Sequence, residues 1–179
     1  MKKQILLLLT LFVSLTTFAQ KNELKAAEKA LKKMDYATAK SSLDQAESLI
    51  SNADDKTKAK FYYLKGETYA GLSKTAPTAD NYNTAAGAYN SLFALENSPN
   101  GKYTKLAEPT MNTMITDLSS KGIKSYQDKN YSAAKTELYQ VYNLSKKDTA
   151  FLEYAANAAY LDKDYDVALK DFTELKDLF

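Results

Sequence analysis

The chain has 179 residues, 24 lysines against 22 carboxylate side chains, and no Arg, His, Cys or Trp. Without His or Cys there is no thiolate nucleophile, no Ser-His or Cys-His pair, no disulfide and no ordinary zinc site; without Arg there is no bidentate clamp for carboxylate or phosphate. The chemistry left open is a glycosidase-type carboxylate pair or a Ser-Lys arrangement. No spacing singles out either, so the chain is read as a non-enzyme with no cofactor and no metal site.

Taken in chain order, Lys2 and Lys3 precede an apolar run from Ile5 to Phe18 that closes on Thr17-Phe18-Ala19. This is the pattern of a secretory signal peptide over residues 1–19, cut before Gln20. The run is about fourteen residues where roughly twenty are needed to span a bilayer, and no cysteine follows it for lipid attachment. The expectation is an exported protein, periplasmic or secreted, not a lipoprotein and with no membrane span in its mature part. Loss of Lys2 and Lys3 leaves 22 lysines against 22 Asp and Glu. A neutral domain lacks the basic footprint that phosphate binding needs, which argues against nucleic acid as a partner.

From residue 20 onward one pattern recurs four times. Tyr36, Tyr82, Tyr131 and Tyr165 each have Ala three residues on (Ala39, Ala85, Ala134, Ala168) and a bulky apolar residue seven on (Leu43, Tyr89, Leu138, Phe172). Ten on stand Ala46, Leu92, Val141 and Leu175, and thirteen on Leu49, Leu95, Leu144 and Leu178. Steps of three and four make one stripe of an amphipathic helix. Asp35, Asn81, Asn130 and Asp164 precede the tyrosines as expected N-caps, placing these helices near 35–50, 81–96, 130–145 and 164–178. Small residues upstream, Ala27, Gly66, Gly122 and Ala156, let a preceding helix pack closely, so the unit is a helical hairpin. Tyr131 and Tyr165 are 34 residues apart; the earlier intervals are 46 and 49. The excess is expected in loops marked by Ser51-Asn52, Pro77 and Asn97-Ser98-Pro99-Asn100-Gly101.

These residues resemble the tetratricopeptide (TPR) family over the whole stretch from 20 to 179. Its Leu-Gly-x-x-Tyr element is matched by Lys65-Gly66-Glu67-Thr68-Tyr69, with Tyr62 as the leading aromatic. Its Gly-Asp-Tyr-x-x-Ala element is matched by Lys129-Asn130-Tyr131-Ser132-Ala133-Ala134 and Lys163-Asp164-Tyr165-Asp166-Val167-Ala168, the Gly being replaced by Met34, Asp80, Lys129 and Lys163. The resemblance implies an all-α, right-handed solenoid of about four hairpins, because one hairpin cannot bury its own stripe. It also implies a concave groove, lined by first helices, that holds a segment of another protein. Carried over by register, the lining is Leu24, Glu28 and Leu31; Lys60, Tyr63 and Glu67; Ser119, Ile123 and Tyr126; Glu153, Asn157 and Tyr160. The paired Lys and Asn with which some members grip a C-terminal carboxylate are absent, and the expected groove is aromatic and acidic.

Two further patterns imitate chemistry. Asp162-Lys163-Asp164-Tyr165-Asp166 alternates carboxylates like a calcium loop, but Val167 and Thr173 stand where Gly and Glu are needed. Gly66 and Gly71 have phosphate-loop spacing without the Lys-Ser that completes it. At the far end Leu175, Leu178 and Phe179 are expected to form an exposed apolar end, open to self-association or to further repeats. The reading is therefore a protein-interaction scaffold. The alternatives are an N-terminal assembly module of a larger envelope protein, or a glycan-binding or glycan-cleaving protein.

Overall fold

The computed structural model describes residues 20–145 and 148–179; the leader expected over 1–19 lies outside them. The described residues form helices α1 (20–31), α2 (Tyr36–Ile50), α3 (Asp55–Thr75), α4 (Ala79–Glu96) and α5 (Lys102–Gln127). After these come α6 (Tyr131–Ser145), α7 (Thr149–Leu161) and α8 (Tyr165–Lys176), with no strand among the described residues. Each helix packs on the next in the chain, and α3 also meets α5 while α4 meets α6. No described helix is long and apolar enough to cross a membrane.

Local geometry repeats where the sequence pattern repeats. In the turns α1–α2, α5–α6 and α7–α8, Met34, Lys129 and Lys163 are left-handed, with φ of 57°, 60° and 64°. The amide of the next residue reaches back five positions: Asp35 to the Ala30 carbonyl at 3.0 Å, Asn130 to Ser125 at 2.8 Å, and Asp164 to Ala159 at 2.9 Å. That closes the free carbonyls at the end of one helix. The same three side chains then accept from the amides of Thr38, Ala133 and Val167, which starts the next helix. Positive φ without glycine costs roughly 1 kcal/mol. Lys129→Gly is accordingly expected to raise stability by about 0.5–1 kcal/mol, whereas Asp128→Gly, at φ −74°, lowers it. Urea melts of the two variants decide this; equal shifts would mean the left-handed turn carries no strain.

The α3–α4 turn departs from this plan. Asp80 and Asn81 are helical, not turn and cap, because α4 begins at Ala79 and the extended Thr78, after Pro77, caps the Asn81 amide at 3.2 Å. The excess residues also lie elsewhere than expected. The marked breakers are indeed between helices, but most of the added length extends α3 to 21 residues and α5 to 26 residues, with Pro109 inside α5. Helix continues there because Tyr103, Ala107, Met114 and Leu118 recur at helical spacing and are buried against α3, α4 and α6.

The recurring alanines Ala39, Ala85, Ala134 and Ala168 are all buried, as are Leu43, Tyr89 and Leu138 of the stripe. Three apolar clusters follow one another along the chain. Leu24, Ala27, Leu43, Ala46 and Ile50 meet Phe61 and Leu64 of α3. The opposite side of α3, with Ala59 and Ala70, packs with Tyr89, Leu92, Met114, Leu118 and Val141. Ala134 and Leu138 of α6 then join Ala155 and Ala158 of α7. Two small residues set the close approaches: a Cβ at Gly66 would run into the Tyr89 ring, and one at Gly122 would come 2.8 Å from Leu138 Cδ2. Between α4 and α6, Asn90 Nδ2 donates to the Asn143 carbonyl at 2.9 Å.

Candidate functional site

One face of α3 carries Lys60, Tyr63, Leu64, Glu67, Ala70, Gly71 and Lys74 at steps of three and four, so these side chains share a stripe. That stripe is the floor of a groove of about 540 Å³. Glu28 and Leu31 of α1, with Lys32 and Met34 of the turn after it, make one wall. Lys102, Tyr103, Leu106 and Thr110 of α5 make the other.

The second wall is held by a carboxylate. Gly101 offers no side-chain cap to α5. Instead Glu96, at the end of α4, accepts from the amides of Tyr103 and Thr104 at 3.2 and 2.7 Å and from the Thr104 hydroxyl at 2.8 Å. This stands in for the missing cap and places an acid at the positive end of the helix. Tyr103 is thereby set against Tyr63, with ring centroids 5.5 Å apart and planes at 30°, and Lys102 Nζ lies 5.0 Å over the Tyr103 ring.

At the centre of the floor, Glu67 is largely buried. Tyr89 donates its hydroxyl to Glu67 Oε1 at 2.9 Å from beneath, and Thr110 donates to Oε2 at 3.0 Å from the α5 wall. Burial pushes the Glu67 carboxyl above its ordinary range, while those two hydrogen bonds act the other way. Burial beside Glu67 likewise drives the Tyr89 phenol well above its usual value. Glu28 behaves oppositely: a hydrogen bond from Lys60, 2.5 Å away, holds it below the carboxylate norm, and Lys32 adds to this from 3.5 Å. Lys74 and Lys102 form no ion pair among the described residues. The groove is therefore aromatic, as expected, but lysine-rich: Lys32, Lys60, Lys74 and Lys102 face Glu28 and Glu67, where register alone gave an acidic lining.

Of the residues assigned by register, Glu28, Leu31, Lys60, Tyr63 and Glu67 come together in this groove. Leu24 does not line it; it is buried with Ala27 and Leu43 in the first core cluster. Ile123 and Tyr126 border a separate cavity of about 230 Å³ with Tyr154 and Leu138, and Ser119 turns its hydroxyl back onto the Ile115 carbonyl at 2.6 Å. Glu153 and Tyr160 are exposed and Asn157 is half-buried, with Tyr160 edge-on to Tyr165 at 5.7 Å. Leu175 is half-buried, while Leu178 is 50% and Phe179 95% exposed. The wall from α5 was missed because that segment read as an insertion loop, although the burial period from Tyr103 to Leu118 is visible in the sequence.

The carboxylates of the calcium-like pattern are occupied otherwise: Asp162 and Asp164 take Lys135 Nζ at 2.6 and 2.7 Å. Gly66 and Gly71 lie within α3, Gly71 against the Tyr36 ring. No family model, curated protein or solved structure matches the chain.

Proposed function

We propose that the protein is an exported interaction module, a tetratricopeptide-like right-handed solenoid, that binds an extended, carboxylate-bearing segment of another protein in the groove between α1, α3 and α5. It acts by holding a partner and carries out no catalysis. The observation that supports this reading is the set of four lysines around the stacked Tyr63 and Tyr103, two of them without an ion-pair partner among the described residues. Stacked aromatic rings offer a large contact area at small entropic cost. Lysines at the groove edges favour an acidic segment and speed its encounter. Glu67, tied to Tyr89 and Thr110, is committed to the floor, which leaves Lys74 and Lys102 to act on a ligand while Lys32 and Lys60 are paired with Glu28.

The test is capture of a partner from an envelope extract by the purified protein. A specifically retained protein should bind about tenfold more weakly to Tyr63→Ala and to Lys102→Glu, a loss of the size that single interface side chains carry. Capture unchanged by both variants, with melting curves like the wild type, would place the partner elsewhere and end this reading.

A further inference from the structure

A second cavity, of about 170 Å³, lies between α4, α6 and α8, and Asp171 borders it. Asp171 is only 2% exposed, yet its carboxylate accepts no hydrogen bond and forms no ion pair among the described residues. The other largely buried carboxylates are provided for: Glu67 by Tyr89 and Thr110, Glu137 by Ser125 at 2.7 Å and Lys121 at 2.8 Å. No side-chain oxygen sealed from solvent lacks a hydrogen-bond partner among the described residues, so the Asp171 carboxylate, which has none, opens onto this cavity, and an acid so nearly enclosed is costly without a donor.

The two lysines and the phenol beside it make their contacts with other groups, although the Lys170 charge also acts on Asp171. Lys135 Nζ is shared by Asp162 and Asp164. Lys170 Nζ stands 5.1 Å over the face of Tyr139, and the Tyr139 hydroxyl donates to Glu174 at 3.0 Å. Four carboxylates, Asp162, Asp164, Asp171 and Glu174, thus surround two lysines at this end of the molecule. Asn83, Thr136 and Gln140 add amide and hydroxyl oxygens to the cavity wall, and Val167 adds an apolar surface.

We propose that this cavity is a binding site for a primary ammonium group. Its three N–H donors match one carboxylate oxygen and two neutral oxygens, and the apolar wall suits the alkyl chain behind it. A single carboxylate with neutral oxygens, in a cavity that Lys135 and Lys170 also line, is a poor set for a divalent cation, which recruits six or more oxygens, several of them charged. Burial raises the Asp171 pKa to about 6, so at pH 7.5 it is the anion that such a ligand needs. The ammonium comes either from a free alkylamine or from a lysine side chain of a partner. The site shares no lining residue with the α1–α3–α5 groove and does not depend on its role.

Titration of the purified protein at pH 7.5 with n-butylammonium chloride, followed through backbone amide resonances of α6 and α8, tests the site. Saturable shifts with a millimolar Kd are expected, weakened at least tenfold in Asp171→Asn. Tetramethylammonium chloride at equal ionic strength has the same charge without an N–H and should give no saturable shift. Nα-acetyl-lysine methylamide separates the two sources: affinity equal to butylammonium assigns the cavity to a lysine side chain, and weaker binding assigns it to a free amine. Absence of saturable shifts with butylammonium, equal shifts with tetramethylammonium, or an unchanged Kd in Asp171→Asn would each overturn the proposal.

Discussion

Tyr89→Ala is expected to remove about 3–5 kcal/mol of stability, the range for deleting a fully buried aromatic side chain. The Tyr89 ring is completely enclosed, lies against Gly66, and stacks on Phe93 with centroids 6.3 Å apart. Its hydroxyl also supplies one of the two hydrogen bonds that keep Glu67 in place under the groove. Alanine therefore opens a cavity between α3 and α4 and strips a buried carboxylate of a donor in one step. Tyr89→Phe separates the two contributions: packing is kept and the lost bond costs about 1–2 kcal/mol, with the Glu67 carboxyl moving further up. Urea melts should show a lower midpoint at an unchanged slope. In a double-mutant cycle, Gly66→Ala should be strongly destabilising in the wild type and mild in Tyr89→Ala, since the three atoms nearest the added Cβ all belong to the ring. A loss under about 1 kcal/mol for Tyr89→Ala, or no coupling to Gly66, would show that the ring is not wedged between the helices.

The same pair shows what a one-dimensional pattern can and cannot carry. The spacing of Tyr, Ala and three apolar positions placed Ala39, Ala85, Ala134 and Ala168 in buried sites because a helix fixes which residues share a face. It could not say how long each first helix runs. The stretch between Leu95 and Gly122 holds surplus residues against a fixed period, although the burial rhythm within it, Tyr103, Ala107, Met114, is helical. Half of the groove was therefore legible, through Glu28, Lys60, Tyr63 and Glu67, and the half on α5 was lost with that segment. The lysines of the lining were invisible for another reason. Their excess arises when α1, α3 and α5 meet, whereas the composition from residue 20 onward is neutral. The left-handed Met34, Lys129 and Lys163 carry side chains where glycine would be unstrained, a cost borne by the turn.

Asp171 was legible by neither route, because its neighbours in sequence are largely solvated residues and its burial comes from the packing of α8 on the rest of the fold. It also gives the second large effect: Asp171→Asn is expected to stabilise the protein by about 2 kcal/mol above pH 7 and by almost nothing below pH 4. Burial raises its pKa from 3.8 to about 6, with Glu174 and Asp164 adding to the rise and Lys170 opposing it, while Lys135 is held by Asp162 and Asp164. Between those two values the folded chain binds more protons at this position than the unfolded chain, so stability falls as pH rises through the window. Two pKa units correspond to at most about 3 kcal/mol, and the opening of the carboxylate onto the cavity reduces that to about 2. Asn keeps the volume and has no charge to bury, so the difference between variant and wild type should grow from pH 4 to pH 7 and then level off. Taking that difference cancels the groups common to both, including Glu67, whose raised pKa gives a slope of the same sign, and Glu28, whose lowered pKa gives the opposite one. A difference that is flat with pH would mean that Asp171 is solvated in the fold. An ammonium ligand adds a second signature, since it offsets the same penalty only where the carboxylate exists: butylammonium should raise the wild-type melting temperature at pH 7.5 and leave that of Asp171→Asn where it is.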